Sequence, residues 1–180
     1  RRIMTDTDIK QIPDDLPHTH RDARDVLAAA IESVRPEMAL ASHLSLDADG
    51  DLLVVGDRSY DLNQFDRILV VGGGKAAARM GAVLVETLGD RITAGALNVY
   101  RHQADPVISD RIRLHPADHP KPNGPGVIGA REMAELLAGA DERTLVIALI
   151  SGGGSSLMAL PVEEVGLEDY QQLTDLLLTV

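Results

Sequence analysis

The sequence contains no cysteine and no tryptophan, and aromatic residues make up only 2% of its 180 positions. The lack of cysteine excludes a disulfide framework and a thiolate metal site. With so few aromatic side chains, neither stacking on nucleic-acid bases nor an aromatic ligand cage is expected. No apolar run approaches the length of a membrane span, and the N-terminus has no signal-peptide architecture. We therefore expect a cytoplasmic protein that is not embedded in a membrane.

Lysine is also scarce, occurring only at positions 10, 75 and 121. The formal net charge of −11 would repel nucleic acids and anionic membranes, so neither is expected as a partner. Two explanations of the arginine- and aspartate-rich composition stay open, a GC-rich genome and a salt-adapted surface. In so lysine-poor a chain, Lys75 is notable because it lies inside a glycine cluster.

The most informative stretch is residues 145–156, where six apolar residues run into Ser-Gly-Gly-Gly-Ser-Ser. The unbroken apolar run predicts a central strand buried on both faces, as in a parallel sheet flanked by helices. Ligands of such sheets bind beyond the carboxyl ends of the strands, and a glycine turn there can direct backbone amides at an anion. A nucleophile elbow is disfavoured, because the residue two positions after Ser155 is Leu157 instead of glycine. A strand-to-helix connection without a ligand is the remaining alternative.

A second strand, residues 67–72, leads into Gly-Gly-Gly-Lys at 72–75, and a helix pattern follows. This order points helix N-terminal amides at an anion. The segment is not a P-loop, since Leu69 and Ala76 stand where that motif needs glycine and a hydroxyl. It fits G-x-G-x-x-A, but no ribose-binding acid follows the next predicted strand, residues 92–100, so a nicotinamide site has weak support. Lys75 is either an anion contact or a solvated surface lysine.

Residues 115–126 form a proline-rich loop in this interpretation, followed by a helix over 127–137. Because this loop cannot be helical, His115 and His119 are not an i, i+4 metal-binding pair. The loop is either a place for substrate contacts or a structural turn with solvated histidines.

The rest of the pattern predicts scaffold. We expect a flexible arm over residues 1–18 and one domain over 19–180, an α/β fold with a Rossmann-like, mostly parallel sheet and helices on both faces, preceded by an N-terminal helix and a short hairpin. The expected scaffold elements are a helix from Thr19 or Asp22 that Pro36 ends or kinks, a hairpin over 51–63 that turns at Gly56-Asp57, a helix from 77 to a stop at Gly89, a short edge-like strand over 111–114, and an apolar helix from Leu167 that is cut by the end of the chain.

Three segments in series resemble type II glycerate 2-kinases. They are Gly-Gly-Gly-Lys-Ala-Ala at 72–77, His-Pro-Lys-Pro-Asn at 119–123 with Gly126, and Leu-Ile-Ser-Gly-Gly-Gly-Ser-Ser-Leu at 149–157 with Pro161. The resemblance covers about residues 20–180 and departs at Asn123, where aspartate is expected, and at Ser156, where alanine is frequent. It implies the N-terminal domain of a kinase whose C-terminal domain, the MOFRL domain, forms the other half of the active-site cleft.

The resemblance further implies transfer of a phosphoryl group from ATP, with Mg²⁺, to D-glycerate, which gives 2-phosphoglycerate. Lys75 would then be the catalytic cation that neutralises negative charge, and His119 would line the substrate end. A second anionic group would be held by Ser151, Gly152, Gly153, Gly154 and Ser155. Gly73 and Gly74 of the other glycine segment are also expected to bind substrate or nucleotide. No metal-ligating residue is assigned.

Two other classes stay open, an NAD(P)H-dependent hydroxypyruvate reductase and a non-catalytic module that binds a sugar acid or phosphate. If the second domain is absent, we expect the 180 residues alone to be inactive. The apolar helix face would then favour association with the missing segment or a homo-oligomer.

Overall fold

The computed structural model describes residues 18–102 and 109–179, so the predicted arm lies outside the described residues except for His18. The centre of the domain is a four-stranded parallel sheet, whose strands are β4 (Arg67–Gly74), β5 (Ala94–Tyr100), β6 (Ile112–Ala117) and β7 (Thr144–Ile150). Their order across the sheet is β6-β5-β4-β7. The predicted α/β fold with a parallel sheet is confirmed.

Helices cover the two faces of this sheet. Side chains alternate between the faces of a strand, so Val70 of β4 packs in one cluster with Leu84 of α3 (Ala77–Leu88). Val71 points to the other face and packs with Met133 of α4 (Gly124–Ala138). Helix α3 ends at Gly89, as predicted, where φ is +50°.

A smaller unit precedes the sheet. Helix α1 (His18–Ser33) is followed by α2 (Pro36–Ala41), so Pro36 ends the first helix by starting a second. The predicted hairpin is present as β2 (Leu52–Val55) and β3 (Arg58–Asp61), and β1 (Leu44–Leu46) adds an unpredicted third antiparallel strand. Leu44 and Leu53 join the main apolar cluster, which ties this unit to α3 and the parallel sheet.

The prediction that residues 145–150 form a central strand buried on both faces is wrong. β7 is a strand, but among the described residues it pairs with β4 alone and lies at the edge of the sheet. One side of it packs toward α3 through Leu149, whereas Val146 is 37% and Ile150 56% exposed. The central position belongs to β4, whose residues from Ile68 onward are all buried.

Residues 72–74 are part of strand β4 and do not form the predicted turn. Gly73 pairs with Asn98 of β5 on one side and with Ile150 of β7 on the other. At Gly72, where φ is +144°, an added Cβ would lie 2.1 Å from the carbonyl oxygen of Leu149. Glycine is therefore required here because two strand backbones approach closely.

The proline-rich loop is shorter than predicted at both ends. Its first residues, 115–117, belong to β6, where Pro116 is tolerated because β6 is an edge strand. At the other end, α4 begins at Gly124, with Pro125 in its first turn and the Asn123 side chain accepting a hydrogen bond from Gly126 N. We call the remaining segment, residues 118–123, the proline loop.

Two helices follow β7. The first, α5 (Gly154–Leu157), is a single turn, and the second, α6 (Leu167–Leu178), is the predicted apolar helix. Its apolar face is exposed as expected, with Leu173 at 51%, Leu176 at 65% and Leu177 at 71% exposure. Val180, the last residue of the sequence, lies outside the described residues.

Candidate active site

The two glycine segments meet at the carboxyl ends of the adjacent strands β4 and β7. Ser151 N donates to the carbonyl of Gly73 over 3.2 Å, and Lys75 N donates to the carbonyl of Gly152 over 3.0 Å. The Ser151 hydroxyl accepts a hydrogen bond from Ala76 N at 3.0 Å, immediately before α3. Two segments separated by some 75 residues are therefore hydrogen-bonded to each other at this edge of the sheet. Ser151 stabilises this junction through its backbone and its hydroxyl.

The turn after β7 leaves backbone amides without protein partners. Gly153 adopts a left-handed conformation, with φ of +89°, and α5 starts at the next residue. Gly154 N donates to the Ser151 carbonyl at 3.2 Å, but in the described part of the chain no hydrogen bond joins the amides of Gly152 or Gly153 to another protein group. Such a pair of successive free amides is a suitable anion-binding element.

Gly73 and Gly74 have packing roles. An added Cβ at Gly73 would lie 2.5 Å from Cγ of Met158, and one at Gly74 would lie 2.1 Å from the Ser151 hydroxyl oxygen. These glycines bring the turn after β7 against β4.

Lys75 is half-buried at the first position after β4. No acidic side chain within the described ranges forms an ion pair with it. Its positive charge acts instead on His119, in the proline loop. An unpaired cation beside free amides has the electrostatic character of a phosphate or carboxylate site.

His119 lies against the same turn. An added Cβ at Gly153 would be 2.8 Å from Cδ2 of the imidazole and 3.3 Å from Nε2. Tyr100 meets the ring edge-on, with centroids 6.5 Å apart and planes at 84°. Partial burial, and after it the charge of Lys75, lowers the pKa of His119 below the ordinary value of 6.5. Both effects favour the neutral imidazole over the imidazolium.

Two open cavities flank His119. One of about 290 Å³ is bounded by Ser155, Tyr170 and Thr174, and another of about 300 Å³ by Arg101 and Asn123. The structure therefore brings Lys75, His119 and the residues of the turn after β7 together at one end of the sheet.

A match to a family model accompanies this geometry. The model described as Domain of unknown function (DUF4147) matches residues 22–180. The chain belongs to this family. The DUF4147 domain is the N-terminal domain of glycerate 2-kinase family proteins.

Individual relatives of this DUF4147 chain carry related names. D-glycerate 2-kinase from Thermotoga maritima is 40% identical over 114 residues, which cover 63% of the chain and 27% of that protein. The crystal structure of glycerate kinase from Thermotoga maritima is similar, with a TM-score of 0.69 and 31% sequence identity. The similar region covers 91% of this chain and 36% of the chain in that crystal structure. A putative hydroxypyruvate reductase from Agrobacterium vitis is 30% identical over 155 residues, covering 86% of the chain and 31% of that protein. The chain spans about a third or less of the length of the curated relatives.

The sequence did not reveal what supports the site in this DUF4147 domain. Asn98, fully buried at the end of β5, donates to the carbonyls of Gly126 at 2.7 Å and Leu157 at 2.6 Å. It thereby fixes the start of α4 and the end of α5 relative to the sheet. The available signal was a polar residue inside an otherwise apolar strand.

The proline loop is also braced. The Ser156 hydroxyl donates to the carbonyl of Pro120 at 2.5 Å, and the Gln171 side chain donates to the carbonyl of Pro122 at 2.6 Å. Lys121 forms an ion pair with Asp175 of α6. Ser156 and α6 therefore determine where the loop presents His119.

Neither a metal cluster nor a membrane span is found in residues 18–102 and 109–179. No three His, Cys, Asp or Glu side chains there are grouped so that they could hold a metal ion. No helix in the same ranges is both long and apolar enough to cross a bilayer.

Proposed function

We propose that this chain provides one side of the active-site cleft of a D-glycerate 2-kinase, which transfers a phosphoryl group from ATP to D-glycerate and releases 2-phosphoglycerate. The observation that carries the proposal is the unpaired cation of Lys75 beside the free amides of Gly152 and Gly153, in a DUF4147 chain. A cytoplasmic location is part of this proposal.

Phosphoryl transfer depends mainly on positioning and on neutralising charge, since little covalent chemistry is required of the protein. Lys75 would contact the transferring phosphoryl group or the glycerate carboxylate. The amides of Gly152 and Gly153, with the hydroxyls of Ser151 and Ser155, would hold the other anionic group. Because β4 and β7 fix both elements on paired backbone, the site is preorganised for two anions.

Magnesium belongs to the proposal because nucleotide phosphates are normally transferred as metal complexes. The described residues fit a phosphate group, through the two free amides and Lys75, but they do not provide a cluster of acidic or imidazole ligands for Mg²⁺. We therefore assign no magnesium ligand and no step to the metal within this domain.

The proposal includes a second domain that completes the cleft. The curated relatives are about three times as long as the matched segment, and the cavity that His119 and Ser155 line between the proline loop and α6 is open to solvent. The 180-residue chain alone would then bind ligand weakly and show no turnover.

The proposal is tested by recording amide NMR spectra of the chain while D-glycerate, 2-phosphoglycerate, ATP with Mg²⁺, and NADPH are each added separately. We expect the largest shifts at Gly152 and Gly153 with 2-phosphoglycerate or ATP, and their loss in Lys75→Met. The matched control is Arg113→Met, which removes one positive charge from an exposed position on β6.

Each ligand distinguishes one alternative. Shifts with NADPH alone would replace the kinase by the reductase whose name one relative carries. Binding of D-glycerate or 2-phosphoglycerate, combined with no response to ATP and no turnover by the full-length gene product, would indicate a non-catalytic binding module. Shifts that map away from β4 and β7 would contradict the assigned site.

A further inference from the structure

The ring nitrogens of His119 are free, which distinguishes it from His43 and His115. His43 Nδ1 lies 2.9 Å from the carbonyl of Ala39, and His115 Nε2 lies 2.8 Å from a carboxylate oxygen of Glu132. Among the described residues, neither nitrogen of His119 has a hydrogen-bond partner. The ring nonetheless lies between the two cavities at the end of the sheet, where a ligand would contact it.

The ring is oriented toward the proposed anion site. The Cδ2–Nε2 edge faces Gly153, where even a methyl group would come within 2.8 Å of the imidazole. The free amides of Gly152 and Gly153 belong to this same turn. Edge-on packing of Tyr100 and the bracing of the proline loop by Ser156 hold the ring in this orientation.

Partial burial and the charged groups around His119 disfavour its protonation. From the turn between β4 and α3, Lys75 opposes a second positive charge, and partial burial opposes it more strongly. The adjacent carboxylate, Asp118, is committed to an ion pair with Arg101 at 2.6 Å. Together these effects hold the pKa of His119 below its ordinary value, which favours the neutral imidazole, in which one ring nitrogen has a lone pair that can accept a proton.

We propose that His119 is the general base of the transfer and takes the proton of the attacking substrate hydroxyl on Nε2. This inference depends on the proposed kinase function. The hydroxyl oxygen forms a bond to the γ-phosphorus while the bond from that phosphorus to the β,γ-bridging oxygen breaks. The bonding electron pair leaves with the nucleoside diphosphate, the proton goes to Nε2, and the resulting imidazolium later releases it to water.

Other groups at this end of the described sheet are less suited to the role. The ammonium group of Lys75 donates hydrogen bonds and has no lone pair to offer. Asp118 is paired with Arg101 and Asp175 with Lys121, so each carboxylate is already occupied. His119 is the group here with both a free acceptor atom and a position beside the free amides, the two properties a general base needs.

Steady-state kinetics of the full-length gene product test this role. His119→Gln should lower kcat by about 10²–10⁴-fold, with a much smaller change in the KM for D-glycerate. The fall of kcat at acidic pH, which in the wild type follows protonation of His119, should disappear in the variant. The matched control is His43→Gln, which removes an exposed histidine between α2 and β1 and should leave kcat and its pH profile unchanged.

A variant that separates chemistry from folding is His119→Ala assayed with added imidazole. Partial recovery of kcat by imidazole supports the base role, since a merely structural role is not restored by a free base. An unchanged kcat in His119→Gln, or a retained acidic limb, would overturn the inference while leaving the kinase function intact. Absence of D-glycerate phosphorylation by the wild-type protein would instead overturn the proposed function, and with it the role of His119.

Discussion

Replacing Gly129 by alanine sets helix propensity against packing. Gly129 lies inside α4, where propensity alone favours alanine over glycine by about 1 kcal/mol. An added Cβ would, however, lie 1.9 Å from Oδ1 of Asn98 and 2.6 Å from Cγ of His115. Both neighbours are held in place, Asn98 by two hydrogen bonds to backbone carbonyls and His115 by Glu132.

The magnitude follows from these contacts. Overpacking a tight site costs about 1–3 kcal/mol, and displacing the Asn98 amide weakens two hydrogen bonds of about 1 kcal/mol each. After subtracting the gain of about 1 kcal/mol in propensity, Gly129→Ala should lower the free energy of unfolding by about 2–4 kcal/mol. For a domain of this size that corresponds to a melting temperature lower by roughly 5–15 °C.

Urea denaturation followed by far-UV circular dichroism measures the effect, with Gly124→Ala as the matched control. No atom lies within 4 Å of an added Cβ at Gly124, so that variant should be as stable as the wild type or slightly more so. In an Asn98→Ala background the clash with Oδ1 is absent, so Gly129→Ala should lower the free energy of unfolding by less than it does in the wild-type background. Equal or greater stability of Gly129→Ala in the wild-type background, the result propensity alone predicts, would refute the reasoning.

Three further predictions concern the site and its supports. Lys75→Met should raise the pKa of His119 toward its ordinary value in an NMR titration. Because the unfolded chain binds the proton more readily than the folded chain, the lowered pKa predicts a loss of stability as pH falls below about 6.5, and Lys75→Met should reduce this loss. An unchanged pKa of His119 would contradict the electrostatic coupling to Lys75. Ser156→Ala should lower the free energy of unfolding by about 0.5–1.5 kcal/mol through the lost bond to the proline loop, and an equal effect of Ser155→Ala, which loses no such bond, would count against it. Gly72→Ala should lower the free energy of unfolding by more than about 3 kcal/mol, since φ is positive at this residue and the added Cβ would meet a backbone carbonyl of β7. A urea midpoint equal to that of the wild type would disprove the close approach of the strands.

Local pattern was sufficient to predict the elements that enclose the site. The apolar run at 145–150 is a strand and the residues from 77 to 88 form a helix, because hydrophobic periodicity and the glycine stop at Gly89 act within a few residues. An anion-binding role was predicted for each glycine segment, because ligands of parallel sheets bind beyond the carboxyl ends of the strands. The position of a strand within the sheet could not be predicted in this way, since it depends on which strands pair.

The features that the sequence analysis misinterpreted or missed all depend on tertiary contacts. Residues 72–74 look like a flexible turn in sequence, but they are glycines because β7 lies too close for side chains. Asn123 was noted only as a departure from an expected aspartate, whereas its side chain caps α4. The bracing by Asn98 joins residues 28 and 59 positions away, a separation that no local pattern encodes.

The most direct test of the central claim is phosphorylation of D-glycerate by the full-length gene product, with product identity determined by NMR. We predict formation of 2-phosphoglycerate from ATP and D-glycerate, a loss of kcat of at least about 10²-fold in Lys75→Met, and an unchanged rate in Arg113→Met. Absence of phosphorylated glycerate from the wild-type reaction, or a Lys75→Met variant as fast as the wild type, would contradict the proposed site.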